Sequence, residues 1–364
     1  MFRIIIVLTA VFYSQALYCQ SYPTLDNILK LIWVDTLSTK DYRDAPIIKN
    51  GVLFHHINQD YGFEVTSGKR IPFTNEIKEY TSDSLLFFDS KNEAKIVNVF
   101  TGYDVLNVKK RNGGYIGYRS PSMISDSLVY IPVNDMKIIA YNVFTGSQVF
   151  EKELDSPIYT KPIVYKNNVV FAEKMSIQVI NGVTGEDVWS FNLNGKILSN
   201  LEMDGDDIYF WVKGDGVKSL SLKYYNLNWS FNEVSTEMRS YSIIIDTARI
   251  YFNSGKVYAL NKNNGDVVWE TENNCGVNGT FLSIQKKFLF FYENCDNQQN
   301  ILTAIDISNG VKKYQGFTSN TYPPKPGLGI HFFDMVEMRL VKEDTADYLI
   351  GVFDDKIYGF KLMK

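Results

Sequence analysis

Three cysteines and three histidines in 364 residues leave few thiolate or imidazole ligands for a metal. The adjoining pair His55 and His56 would point to opposite faces of a strand and could not easily chelate one ion. Charge is also sparse: 21% of residues are charged, with 37 Lys plus Arg against 41 Asp plus Glu, for a net charge of −4. No long basic run is present to neutralise a phosphate backbone, so nucleic acid is not an expected partner. Beyond the N-terminus no apolar run approaches the roughly 20 residues that cross a bilayer as a helix. No two cysteines adjoin, and no P-loop, dinucleotide fingerprint, nucleophile elbow or zincin motif occurs. Asp204, Asp206 and Asp207 surround Gly205 but lack the spacing and terminal glutamate of a calcium loop, and they fall where a hairpin needs a turn. The reading is of a non-enzyme, with no residue assigned to catalysis, cofactor binding or metal binding.

What is abundant is material for strands. Hydrophobic residues make up 45% of the chain and aromatics 15%, including 24 Tyr and 24 Phe, which suits a buried β-rich core and not a disordered chain. The N-terminus reads as a signal peptide over residues 1–19. Arg3 is followed by the uncharged apolar run Ile4 to Tyr13, and a more polar stretch then runs to Gln20. Tyr18 precedes Cys19, where a lipidated cysteine would need a small residue. The mature domain is therefore expected over 20–364, secreted or periplasmic, with Cys275 and Cys295 as its two cysteines. A bridge between them would close a loop of about 20 residues and stabilise by roughly 3 kcal/mol. Two separate buried thiols are the alternative.

Internal repetition gives the architecture. A polar turn recurs after an apolar strand at Asn98-Val99-Phe100-Thr101-Gly102, Asn142-Val143-Phe144-Thr145-Gly146 and Asn181-Gly182-Val183-Thr184-Gly185, with further copies ending at Gly68, Gly265 and Gly310. Four residues after the glycine stands a large residue: Leu106, Phe150, Trp189, Trp269 or Tyr314. A degenerate copy has Trp229 in that place and Tyr225 at the turn position. These marks are 34 to 45 residues apart, the spacing of four-stranded propeller blades.

A second series checks the first. Eight apolar or aromatic triplets, beginning at Val52, Leu85, Leu128, Val169, Ile208, Ile250, Phe288 and Tyr348, follow turn residues and read as doubly buried strands within blades. The eighth unit ends after Leu362, where a turn and a last strand should follow. The segment around Trp33 resembles the post-turn tryptophan strands and can supply the missing one. The expected fold is an all-β, eight-bladed propeller of four-stranded antiparallel blades, closed by pairing the N-terminal strand with the C-terminal blade.

An apolar strand, Asn or Asp, a Thr-Gly turn and a Trp four residues later resemble the PQQ-type repeat of quinoprotein-like eight-bladed propellers. Their simplest secreted relatives include the propeller lipoprotein of the bacterial outer-membrane β-barrel assembly machine. The resemblance covers essentially the whole mature chain. Thr-Gly is complete at Gly102, Gly146 and Gly185, and Trp stands at the late position at 189, 229 and 269. It implies that Trp33, Trp189, Trp229, Trp269, Gly102, Gly146, Gly185, Gly265 and Gly310 are structural, each Trp packing between neighbouring blades. It does not imply bound quinone: the dehydrogenases of this superfamily carry a vicinal cysteine pair and a calcium site, and their longer loops build the active site.

One insertion breaks the periodicity. Gly310 and Tyr348 are 38 residues apart, whereas Gly185 and Ile208 are 23 apart. The extra length holds Tyr322, Pro323 and Pro324, followed by His331, Phe332 and Phe333. Stiff prolines and clustered aromatics suit a recognition loop, and a self-packed cover over a blade seam is the alternative. By its relatives the chain is expected to be a monomeric, non-catalytic scaffold that binds another protein. A small-molecule or glycan binder and a quinone-dependent dehydrogenase are the other classes.

Overall fold

Runs of β-branched and aromatic residues bounded by Asn, Asp and Gly pair with their sequence neighbours because each connecting turn is short enough to reverse the chain directly. The computed structural model describes residues 23–36, 47–49, 52–54, 61–64, 66–72, 79–82, 85–89, 93–98, 104–109, 123–125, 127–133, 136–158, 160–232, 243–272, 283–285, 287–295, 299–315, 338–343, 346–353 and 356–363. Among these residues the strands form eight four-stranded antiparallel sheets. Seven are built from consecutive segments of chain. The third blade, for example, comprises Met123–Ser125, Leu128–Val133, Lys137–Asn142 and Gln148–Glu153. The only helical element among the described residues is a 3-10 turn at Leu25–Asn27, and no described helix is long and apolar enough to cross a membrane.

Every predicted triplet falls in the second strand of its blade. There both faces are covered, so Val169 to Ala172, Ile208 to Val212 and Ile250 to Phe252 are buried without alternation. Fourth strands instead alternate: Phe150, Trp229 and Trp269 are buried between exposed neighbours. First strands of neighbouring blades touch, as Met123–Ser125 does Ile163–Tyr165 and Glu202–Asp204 does Ile244–Ile245. First strands therefore gather at the centre and fourth strands lie at the rim.

The layers between blades form the core. Tyr209, Trp211, Val217, Trp229 and Phe231 of the fifth blade pack against Ile250, Phe252, Tyr258 and Leu260 of the sixth. Burying each such side chain contributes about 1.5–3 kcal/mol. The rings meet mostly edge-on, Trp211 with Phe252 at 5.7 Å and Phe231 with Tyr258 at 5.3 Å, an arrangement that the ring quadrupoles favour.

The last blade joins one strand from near the start of the chain to three from near its end. Leu29–Thr36 pairs antiparallel with Lys356–Leu362, with Leu29 opposite Leu362 and Trp33 opposite Gly359. Trp33 then stacks on Phe63 of the first blade, ring centroids 5.8 Å apart, and Asp35 pairs with Arg70 at 2.6 Å. These contacts join the last blade to the first as the sequence pattern requires.

Candidate interaction surface

In the third, fourth, sixth and seventh blades the turn between third and fourth strands is built around one carboxamide or carboxylate, and in the fifth the Ser221 hydroxyl takes that place. The Asn142 carbonyl accepts the Gly146 N–H, and its side-chain Oδ1 accepts the N–H groups of Phe144 at 2.9 Å and Thr145 at 3.0 Å. Asn181 repeats this with Gly185, Val183 and Thr184, and Asp306 accepts from Ser308 and Gly310. Thr145 and Thr184 continue the network by accepting from the backbone N–H two residues on. The Asn-to-Thr-Gly signature is therefore an Asx turn. Its geometry lifts the second turn residue outward, which leaves Phe144 56% and Val183 57% exposed on neighbouring blades.

In four of the turns the glycine receives the large residue of the preceding blade. A Cβ on Gly265 would lie 2.7 Å from Cδ2 of Trp229, and one on Gly310 equally close to Trp269. Gly68 meets Trp33 and Gly185 meets Phe150 in the same way. Two of the indoles also donate across the seam, Trp229 Nε1 to the Lys262 carbonyl at 3.0 Å and Trp269 Nε1 to the Ile307 carbonyl at 2.9 Å. Phe150 has no such donor. There the Tyr130 hydroxyl donates to the equivalent carbonyl, that of Gly182, at 3.1 Å. Gly146 packs against the Val105 backbone, and Gly102 lies outside the described residues.

At the seam between the fourth and fifth blades the rule changes. Tyr225 occupies the glycine position with φ +55°, and its ring lies against Trp189 at 5.2 Å. Its hydroxyl accepts from Asn168 Nδ2 at 3.4 Å. Beside it, the hairpin between Ile163–Tyr165 and Asn168–Ala172 carries Lys166, also at φ +55°. Lys166 and Tyr225 are the two non-glycine residues with positive φ among the described residues, and both belong to this cluster.

Asp206 binds the cluster together. The buried Tyr165 donates to its Oδ1 at 2.6 Å, and Lys166 Nζ lies 3.8 Å away. The tyrosine hydroxyl, then the nearby lysine charges, hold the Asp206 carboxyl below its ordinary pKa. Lys223 and Tyr224 complete the surface: the ammonium sits 4.9 Å from the ring centroid, and Tyr224 is 69% exposed. Hydrogen bonding to Tyr165 and to Tyr224 pushes Lys166 and Lys223, respectively, above the usual lysine pKa. This patch of two cations, an open aromatic ring and one carboxylate was not evident in the sequence, since the groups come from three turns of two blades. The nearest signal was the aromatic pair Tyr224-Tyr225 where the repeat has Thr-Gly.

On the opposite face the hairpin between Asn168–Ala172 and Ser176–Asn181 buries Glu173, 6% exposed. Ser176 donates to its carboxyl at 3.3 Å and Ser156 at 3.5 Å. Desolvation outweighs these bonds and raises its pKa.

The aspartates around Gly205 go to separate partners: Asp204 to Lys262, Asp206 to Tyr165, and Asp207 to the Asn228 amide. They form a hairpin turn and do not converge. Among the described residues no three His, Cys, Asp or Glu side chains group as metal ligands do. The interaction loop expected at Tyr322, Pro323, Pro324, His331, Phe332 and Phe333 lies outside the described residues, as do residues 1–19 and Cys275. Cys295 ends the strand Phe288–Cys295.

The family model described as outer membrane protein assembly factor BamB matches residues 107–192 and 176–282. The BamB structure from Moraxella catarrhalis is similar over 92% of this chain and 99% of that one, with TM-score 0.62 and 12% identity. A computationally designed protein, Ika8, covers 90% and is itself covered over 98%, with TM-score 0.64 and 14% identity. A quinohemoprotein alcohol dehydrogenase from Pseudomonas putida HK5 aligns over 92% of this chain and 76% of its own length, with TM-score 0.60 and 11% identity. An uncharacterized protein of Rickettsia conorii is 26% identical over 301 residues, which span 78% of this chain and 64% of that relative's length.

Proposed function

From the premise that the chain is a PQQ-like propeller resembling BamB, we propose that it works as a non-catalytic protein-interaction scaffold, secreted or periplasmic. The observation that carries the reading is the division of labour in the repeats. The buried tryptophans and glycines are occupied in blade packing, while the same turns hold Phe144, Val183 and Tyr224 out to solvent on three successive blades. Exposed apolar side chains on rigid turns offer contact area at little ordering cost. The signal-like N-terminus supports export.

The dehydrogenase neighbour favours a second reading, a quinone-dependent enzyme on the same fold. Such enzymes hold the quinone beside a vicinal cysteine pair and a calcium ion. This chain's cysteines stand apart at 19, 275 and 295, so its residues do not fit the group as those enzymes hold it. Likeness of fold alone carries no chemistry.

The test is a pull-down with the mature chain from its native envelope fraction, read by mass spectrometry, beside an absorbance spectrum of the purified protein. A stoichiometric protein partner without a quinone band supports the scaffold. Stoichiometric quinone without a partner overturns it.

A further inference from the structure

The seam of the fourth and fifth blades carries a feature that blade packing does not explain. Tyr225 at positive φ is accounted for by its contact with Trp189. Lys166 is not. Its side chain is 65% exposed, yet it holds a left-handed backbone conformation that Asn or Gly adopts with less strain. What the position gains is an ammonium group over the Tyr165 ring, 4.5 Å from the centroid, on the same patch as Lys223.

The charge there is unbalanced. Lys166 and Lys223 feel each other's charge and share the single carboxylate of Asp206. The other two carboxylates of that hairpin are committed, Asp204 to Lys262 and Asp207 to Asn228. On a chain of net charge −4 this leaves a local cationic spot beside Tyr224, while Val183 is exposed on the turn whose Gly182 N–H bonds the Asn167 carbonyl.

Resting on the scaffold reading above, we propose that this seam binds an extended acidic segment of a partner protein, with a carboxylate between Lys166 and Lys223 and an adjacent apolar side chain against Tyr224. Charge complementarity selects the acidic side chain. The row of outward turn residues along successive blades sets an elongated footprint, which an extended strand fills better than a compact ligand.

The test uses the mature full chain and two labelled octapeptides, one alternating Glu with Leu and the other Gln with Leu, followed by fluorescence anisotropy. The acidic peptide is expected to bind about tenfold tighter, as one charge-assisted contact permits. Combining Lys166→Glu with Lys223→Glu abolishes that preference, whereas Lys166→Arg with Lys223→Arg keeps it. Tyr224→Ala weakens both peptides. Equal binding of the two peptides, no binding of either, or an undiminished preference in the Glu double variant overturns the assignment, provided that its circular dichroism matches the parent. The same double variant then serves as bait in the envelope pull-down. Partner recovery equal to that of the parent leaves the scaffold reading standing and removes the seam; selective loss of the partner supports both.

Discussion

The indole N–H of Trp229 reaches across a blade seam to the carbonyl of Lys262, 3.0 Å away, while its ring covers Gly265 of the same turn. One side chain thus both bonds the next blade's turn and requires that turn to carry no Cβ. Gly265 holds φ +76°, where an L residue is disfavoured, and added bulk must displace the indole.

Gly265→Ala should therefore cost about 2 kcal/mol or more, combining backbone strain with overpacking. Gly205→Ala is the control. Its φ is +61°, but nothing lies within 4 Å of the added Cβ, so only the backbone cost of about 1–2 kcal/mol remains. Urea midpoints of the two variants check the difference, and equal losses would remove the indole from the argument.

Tyr225→Gly restores the repeat's usual residue, relieving about 1 kcal/mol of backbone strain. It also removes the ring against Trp189 and the hydroxyl that accepts from Asn168. Lost aromatic burial outweighs the relief. The variant should be destabilised by about 1 kcal/mol, with a shifted Trp189 emission, and a gain in stability would show the ring contact to be worth less than the strain.

Glu173 sets a pH dependence whose sign follows from burial. Its folded pKa is raised, so its contribution is fully present below the unfolded pKa, near 4, and is lost as pH rises through the folded value. Glu173→Gln should match the parent at pH 4 and melt higher than it at pH 8. A melting difference independent of pH would contradict the desolvation argument.

Asp206 behaves oppositely. Its pKa is depressed, first by the Tyr165 hydroxyl, so its contribution is present above the unfolded pKa and is lost as pH falls through the folded value. Tyr165→Phe should move the Asp206 titration upward, as followed by carboxyl carbon chemical shift. An unmoved titration would assign the depression to the lysines instead.

The period of turns and triplets made the blades legible, because each triplet needs cover on both faces and each turn needs a fixed set of residue types. All eight triplets occupy second strands, and Trp33 completes the last blade. The Asx geometry could be anticipated from Asn142 and Asn181, but the seam contacts could not. Asp206 meets Tyr165 across 41 positions of sequence, one blade apart, and no local propensity encodes that meeting. Likewise, the turn register marked Tyr225 as degenerate without indicating that its ring would reach Trp189.

The pairing of Leu29 with Leu362 also sets an order of assembly. Seven blades are drawn from contiguous chain and can form one after another as the polypeptide emerges, whereas the strand around Trp33 is made first and finds its partner last. Until then its edge stays open, and the final step closes a loop of more than 300 residues. A growing chain therefore carries an unpaired strand until the last blade is made, and that open edge has to be kept from pairing elsewhere until then.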